Sequence, residues 1–194
     1  MRICADSLPR FAEYARTGRV VVFDTETTGG SACDEICQIA AVEYVCGVKV
    51  RTLALCICPT CEMNPWAEEV HGLSLEFLQE HGIAPEEAMR RFFEFVGEDA
   101  LLVAHNAKFD LRMLRQDCAK FDLEFGPDGI DTCDTLALAR QLRPDLECHA
   151  LSYLIHALGI DRVNSHDALD DALACAGVFF KLMQCSHSDH LIKV

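Results

Sequence analysis

Five residues in three short segments could together hold a divalent cation. Asp24 and Glu26 stand two apart at the end of the apolar run Val20-Val21-Val22-Phe23. In an extended strand, residues i and i+2 face the same side, so the two carboxylates lie close together. Like charges held that close push at least one of them toward protonation unless a cation sits between them. A hard divalent ion with oxygen ligands, Mg²⁺ or Mn²⁺, relieves that conflict. Asp110 follows a second apolar run, Leu101-Leu102-Val103-Ala104, and falls in the first turn of an expected helix, where the helix dipole favours negative charge. Asp171 opens a later helix among Ala168, Leu169, Ala172 and Ala174, surroundings in which a carboxylate needs a partner or a metal. His166 precedes that helix. Singly, each has a bland reading: a polar turn for Asp24 and Glu26, and helix N-terminal acids for Asp110 and Asp171.

The elements that must position these groups can be read from periodicity. A helix is expected over Ala5 to Thr17, with Leu8, Phe11 and Ala15 on one face. The run Val20 to Phe23 reads as a buried strand that stops at the polar segment Asp24 to Gly30. Ile36 to Val45 and Val48 to Cys58 read as two strands joined at Cys46-Gly47, an antiparallel hairpin. Helices follow over Pro65 to Val70, from Ser74, and over Pro85 to Val96, with Pro85 suited to a first helical position. Leu101 to Ala104 is a strand, Lys108 to Ala119 a helix, Gly126 to Gly129 a loop and Ile130 to Cys133 a short strand. Helices through Leu142, over His149 to Ala157 and over Asp167 to Met183 complete the chain. This order predicts an α/β fold with a mixed five-stranded sheet flanked by helices. With 194 residues, no repeat and no linker, the expectation is a single domain over 1–194 with its core at about 19–184.

About half the residues are apolar and spread in short blocks, which favours a globular chain over a disordered one. The longest apolar run is far short of the ~20 residues that span a bilayer, so no membrane partner is expected. Early charges (Arg2, Asp6, Arg10, Glu13) without an apolar signal core make the cytoplasm the default. A net charge of −14 runs against broad nucleic-acid binding, which draws on Lys and Arg. It is compatible with a grip on a few nucleotides at one end, where bound metal supplies local positive charge.

Taken together, Val21-Val22-Phe23-Asp24-Thr25-Glu26-Thr27-Thr28-Gly29, His105-Asn106-Ala107-Lys108-Phe109-Asp110 and His166-x4-Asp171 resemble the three motifs of the DnaQ-like DEDDh 3′→5′ exonucleases. This family includes proofreading subunits of bacterial DNA polymerase III and stand-alone relatives. His71-Gly72-Leu73-Ser74 resembles the family's segment between the first two motifs, and the likeness runs from about Arg19 to Leu182. The resemblance implies the RNase-H-like exonuclease fold. It implies two divalent ions, with Asp24, Glu26 and Asp171 ligating the first, Asp24 bridging to the second, and Asp110 reaching the second directly or through water. Two such ions clamp the attacking and leaving oxygens of an in-line displacement. His166 is implied as general base, a task that imidazole suits near neutral pH, and its presence in place of Tyr marks the DEDDh group. Thr27 is implied to contact the terminal 3′-OH, Asn106 to orient the terminal nucleotide, and His71 and Leu73 to pack on the last bases. For His71 a capping or core role is an equal alternative. The implied product is a nucleoside 5′-monophosphate from single-stranded or frayed DNA 3′ ends. An exoribonuclease acting on RNA 3′ ends is the alternative, and a non-catalytic polymerase-associated subunit a more distant one. Only Gln184 to Val194 follow the last expected helix, so a DNA polymerase partner and a free-standing repair nuclease both stay open, as does the oligomeric state.

Other signals carry less. Twelve cysteines without a secretory signal argue against a disulfide framework, and most sit among apolar neighbours as small core residues. Cys58-Pro59-Thr60-Cys61 has the spacing of half a zinc site, but no second such pair completes it. Lys108, Arg112 and Arg115 form a basic stripe on one helix, readable as a substrate-backbone contact or as a solvated face.

Overall fold

A computed structural model describes residues 7–126 and 129–188. The start of the first expected helix at Ala5, part of the 126–129 loop and the last six residues lie outside the described residues. Helix α1 (Ser7–Thr17) leads into three strands in series: β1 (Arg19–Thr27), β2 (Ile36–Val45) and β3 (Val48–Cys56). Helices α2 (Pro65–His71), α3 (Leu75–His81) and α4 (Pro85–Val96) follow, then β4 (Leu101–Ala104), α5 (Lys108–Lys120) and β5 (Thr132–Asp134). Helices α6 (Thr135–Leu142), α7 (Leu151–Ala157) and α8 (Ala168–Ser188) close the order.

The five strands form one mixed sheet in the order β3-β2-β1-β4-β5. β1 pairs antiparallel with β2 and parallel with β4, and β4 pairs parallel with β5. β1 is therefore central, and its two faces pack on two cores. Val20 and Val22 join Leu138, Leu154 and Phe179 of the α6, α7 and α8 layer. Val21 and Phe23 join Met89, Phe92, Met113 and Leu114 of the α4 and α5 layer. A strand buried on both faces must be apolar at every position, which explains the unbroken runs of β1 and β4. Phe23 and Phe92 pack with ring centroids 5.4 Å apart. Each fully buried side chain of this kind stabilises the fold by roughly 1.5–3 kcal/mol. The β2–β3 hairpin turns on Cys46 (φ 51°) and Gly47 (φ 75°), two left-handed residues as a type I′ turn requires. β3 lies at the sheet edge, where Lys49 and Arg51 mark the solvated strand.

The sheet extends further than the apolar run foretells. β1 does not stop at Phe23 but continues to Thr27, with Asp24 opposite Ala40 and Glu26 opposite Gln38. The ladder to β2 supplies the backbone hydrogen bonds that a turn would otherwise have to provide, and buried Thr25 and Thr27 alternate with the two acids. β5 is shifted to Thr132–Asp134 from the expected Ile130 to Cys133, because Asp134 caps α6 by accepting from Leu136 N at 3.0 Å. β3 ends at Cys56 rather than Cys58, and Ile57 instead bridges to Ile83. α7 begins at Leu151 rather than His149, whose Nε2 lies 2.9 Å from Arg143 O.

Candidate active site

Alternation along β1 turns Asp24 and Glu26 to the α8 side of the sheet, in line with Val20 and Val22. Between Glu26 and Thr27 the register with β2 slips, leaving Cys37 as the extra residue of a bulge. Such bulges re-aim side chains at sheet ends. Asp110 approaches from the first turn of α5 and is buried, with Oδ1 accepting from Thr25 Oγ1 at 2.7 Å. Asp171 approaches from the first turn of α8 and is also buried. Its Oδ1 accepts from Ser165 N at 3.1 Å and its Oδ2 from the Asn164 amide. One carboxylate thus fixes the loop that carries His166. That histidine is exposed and left-handed (φ 55°), a conformation that costs a non-glycine residue about 1–2 kcal/mol. Ligand atoms of Glu26, His166 and Asp171 all lie within 4.8 Å of one another.

The electrostatics of the acids are mutual. Burial raises Asp24 well above the usual carboxylate range, and Asp110, Glu26 and Asp171 push it further. Glu26 is raised to about 8 by burial and then by Asp171 and Asp110. Burial raises Asp110 to about 7, against the hydrogen bond from Thr25. Asp171 is raised by burial while the Asn164 and Ser165 bonds and His166 oppose the rise. The groups acting most strongly on Asp24 are burial and four other acids. A set of clustered carboxylate oxygens whose charges oppose one another is a donor set that fits hard divalent cations.

Beside the acids lies a cleft of about 230 Å³ whose lining includes Glu26, Thr27, Trp66, His71 and Phe109. The structure thus brings Thr27 and His71 to the site. His71 ends α2, its Nδ1 accepts from Leu73 N at 3.0 Å, and burial lowers its pKa. It therefore holds a turn and lines the cleft at once. Leu73 and Asn106 are not among the residues lining this cleft. Asn106 is exposed and left-handed (φ 63°), and its N–H donates to Asp134 Oδ1 at 3.0 Å. The basic stripe divides: Arg112 donates to Gly30 O at 3.1 Å and sits over the Phe109 ring, and Arg115 sits over Phe125. Cys61 Sγ lies 3.2 Å from Thr28 Oγ1, and Cys58 and Cys61 are both free thiols.

The Exonuclease family profile (RNase_T) matches residues 21–179. The chain belongs to this exonuclease family. Among related proteins, a DNA polymerase III PolC-type of Thermotoga maritima is 37% identical over 84% of this chain and 12% of its own length. A DNA polymerase III subunit epsilon-like protein of Rhodobacter capsulatus is 38% identical over 84% of this chain and 23% of its own length. The chain thus spans a small part of these relatives. The zinc-bound E. coli exonuclease I–single-stranded DNA complex shares the fold, with a TM-score of 0.76 at 21% identity over 91% of this chain and 43% of that one. Fold and family agree with the sheet described above, and members of this exonuclease family are metal-dependent.

Several residues that shape the site carry no motif signal. Gln38 Nε2 donates to Asp167 Oδ2 at 3.0 Å while Gln38 Oε1 accepts from Ala168 N at 2.9 Å, tying the start of α8 to β2. Asp167 also accepts from Leu169 N at 3.0 Å, so it caps α8. Thr25 and Asn164 were likewise silent in the sequence. Trp66 alone offered a cue: a tryptophan beside Pro65, at the start of a helix too short to bury it on its own.

Proposed function

We propose that this chain is a divalent-metal-dependent 3′→5′ exonuclease that releases nucleoside 5′-monophosphates from single-stranded or frayed DNA 3′ ends. The carrying observation is the convergence of Asp24, Glu26, Asp110 and Asp171, each raised above the ordinary carboxylate range, beside an open cleft. The reading takes residues 1–194 as one exonuclease domain with its core at about 19–184. Its relatives' names extend it to work beside a DNA polymerase.

In this reading Asp24, Glu26, Asp110 and Asp171 are the residues that would hold the two Mg²⁺ or Mn²⁺ ions. When bound, the two ions neutralise charge on the scissile phosphate and lower the barrier to in-line displacement. The protein's own groups do the rest. His166 takes the proton of the attacking water at an imidazole nitrogen, and its place near Glu26 and Asp171 supports that role. Asn164 and the Ser165 N–H keep Asp171, and with it the His166 loop, in position. Gln38 and Asp167 orient the first turn of α8. Thr27 and His71 meet the terminal nucleotide in the cleft, and Leu73 and Asn106, which do not line it, keep only the substrate contacts that the family resemblance implies.

End-labelled DNA and RNA oligonucleotides incubated with Mg²⁺, Mn²⁺ or EDTA test this. Mononucleotides should leave the 3′ end of DNA with either metal and not in EDTA. No release in Mn²⁺ would sink the enzyme reading, and release from RNA alone would reassign the polymer. His166→Ala should lower the rate by about 10²–10⁴-fold, as for a lost general base.

A further inference from the structure

The cleft beside the carboxylates has one wall that the exonuclease chemistry does not account for. Trp66 is 72% exposed, an unusual state for so large an apolar side chain. Its backbone is nevertheless anchored, because Asn64 Oδ1 caps α2 by accepting from Trp66 N at 2.9 Å. Trp66 lines the cleft that also contains Glu26, Thr27 and Phe109. Phe109 is held in turn by the Arg112 guanidinium, 5.2 Å from its ring centre. An aromatic residue thus stands on α2 and another on α5, with the end of β1 between them.

Apart from the metal-site acid Glu26, the polar side chains of the cleft each bond to the protein. Thr25 Oγ1 donates to Asp110 at 2.7 Å and Thr27 Oγ1 donates to Gly29 O at 2.6 Å. Asn64 Oδ1 is used by the α2 cap, and His71 Nδ1 accepts from Leu73 N at 3.0 Å. Telling bases apart requires donors and acceptors aimed at base edges. A cleft with exposed aromatic surface and inward-bonded polar groups instead meets a base by its faces, which all bases share.

We infer that Trp66 is the stacking platform for an unpaired base at the 3′ end of a single strand, and that this cleft accepts the four bases alike. The inference rests on the exonuclease reading above and names how that site holds its substrate. Bringing the last base of a duplex into the cleft costs its pairing and its stack on the preceding pair, so the platform favours single-stranded and frayed ends over intact duplex.

Trp66 is the sole tryptophan of the protein, so its fluorescence reports on this position alone. The full chain with Mn²⁺ is titrated with labelled oligonucleotides of each base, carrying phosphorothioate linkages at the 3′ end to resist hydrolysis. Tryptophan emission and label anisotropy are read on the same samples. Saturable quenching should follow the anisotropy, and homopolymers should bind within about tenfold of one another. Trp66→Ala should weaken binding by about fivefold or more, the effect of losing one base–aromatic stack, while Trp66→Phe restores most of it. Binding without quenching, or equal affinity in Trp66→Ala, overturns the platform and leaves the exonuclease reading standing. A preference for one base of a hundredfold overturns recognition by the base face. If no oligonucleotide binds and no mononucleotide is released from ordinary DNA, the exonuclease reading fails and the platform falls with it.

Discussion

Two sets of sequestered acids sit on the same framework and are handled in opposite ways. Glu43 on β2 is paired with both Arg19 and Arg51, and Glu35 with Lys120 and the Thr60 hydroxyl and N–H. Burial would raise both glutamates, yet these bonds hold them below the ordinary range. Asp24 and Glu26 on the neighbouring strand have acids as their strongest electrostatic neighbours and are raised. The protein supplies cations to the acids that hold the sheet together. At the end of β1 it supplies further acids, an arrangement that fits a bound divalent cation. Perturbed groups of this second kind mark working sites.

The sharpest way to break the contrast is to remove one member of the unneutralised set. Asp24→Asn should abolish nuclease activity, a larger loss than the ~10²–10⁴-fold expected for the general base. The same change should leave the melting temperature in EDTA no lower than wild type, because it removes a charge that its neighbours oppose. A large drop in melting temperature would show that Asp24 is structural.

Metal should distinguish the two sets next. At a concentration 100 times its dissociation constant, Mg²⁺ or Mn²⁺ should stabilise the wild type by about 2.7 kcal/mol, reversibly with chelator. His166→Ala should keep most of that stabilisation and Asp24→Asn should lose it. If His166→Ala loses it equally, the histidine is a ligand rather than the base, an outcome that its proximity to Glu26 and Asp171 makes worth measuring.

The neutralised set should fail in the opposite sense. Glu43→Gln leaves Arg19 and Arg51 facing each other without their shared anion. Breaking a buried pair costs about 3–5 kcal/mol, and the half-exposed Arg51 side chain reduces that to roughly 2. For a chain of this size the melting temperature should fall by about 4–8 °C. Activity per folded molecule should hold, and its loss would tie Glu43 to the site.

The sequence discloses these two sets unequally. The site acids announce themselves because each ends an apolar run or opens a helix, and two of them share a strand face. The hairpin at Cys46-Gly47 and the limits of α4 and β4 are equally legible, since turn chemistry and unbroken apolar runs are local properties. The continuation of β1 through Thr27 is not, because its polar residues resemble a turn until β2 is seen alongside. Glu35 reads as part of a solvated loop, and only the fold brings it to Lys120, 85 residues away. Gln38, Asn164 and Thr25 are hidden for the same reason: single hydrogen bonds between distant residues leave no period in the chain.

Asp117 offers the finest test, because it belongs to neither set. It is buried on α5, accepts from Ile36 N at 3.0 Å, and its other oxygen has no hydrogen-bond partner among the described residues. Burial raises it to about 7, and Glu35 adds to the rise. A carboxyl whose folded pKa is raised adds stability that is complete below the ordinary aspartate value of about 3.9 and is lost as pH rises through the folded value. The lowered Glu35 and Glu43 do the reverse: their contribution is complete above about 4.3 and is lost as pH falls through their folded values. Urea unfolding in EDTA, compared between wild type and Asp117→Asn, cancels the titration of the site acids, which both proteins share. The asparagine keeps an acceptor for Ile36 N and cannot ionise. The wild type should therefore lose stability relative to the variant between about pH 4 and pH 7, and the two curves should run parallel above that. Parallel curves throughout would place the Asp117 pKa near its ordinary value. A metal-free buried acid would then be tolerated ionised on this framework, and a raised carboxylate would no longer distinguish the end of β1 from the rest of the protein.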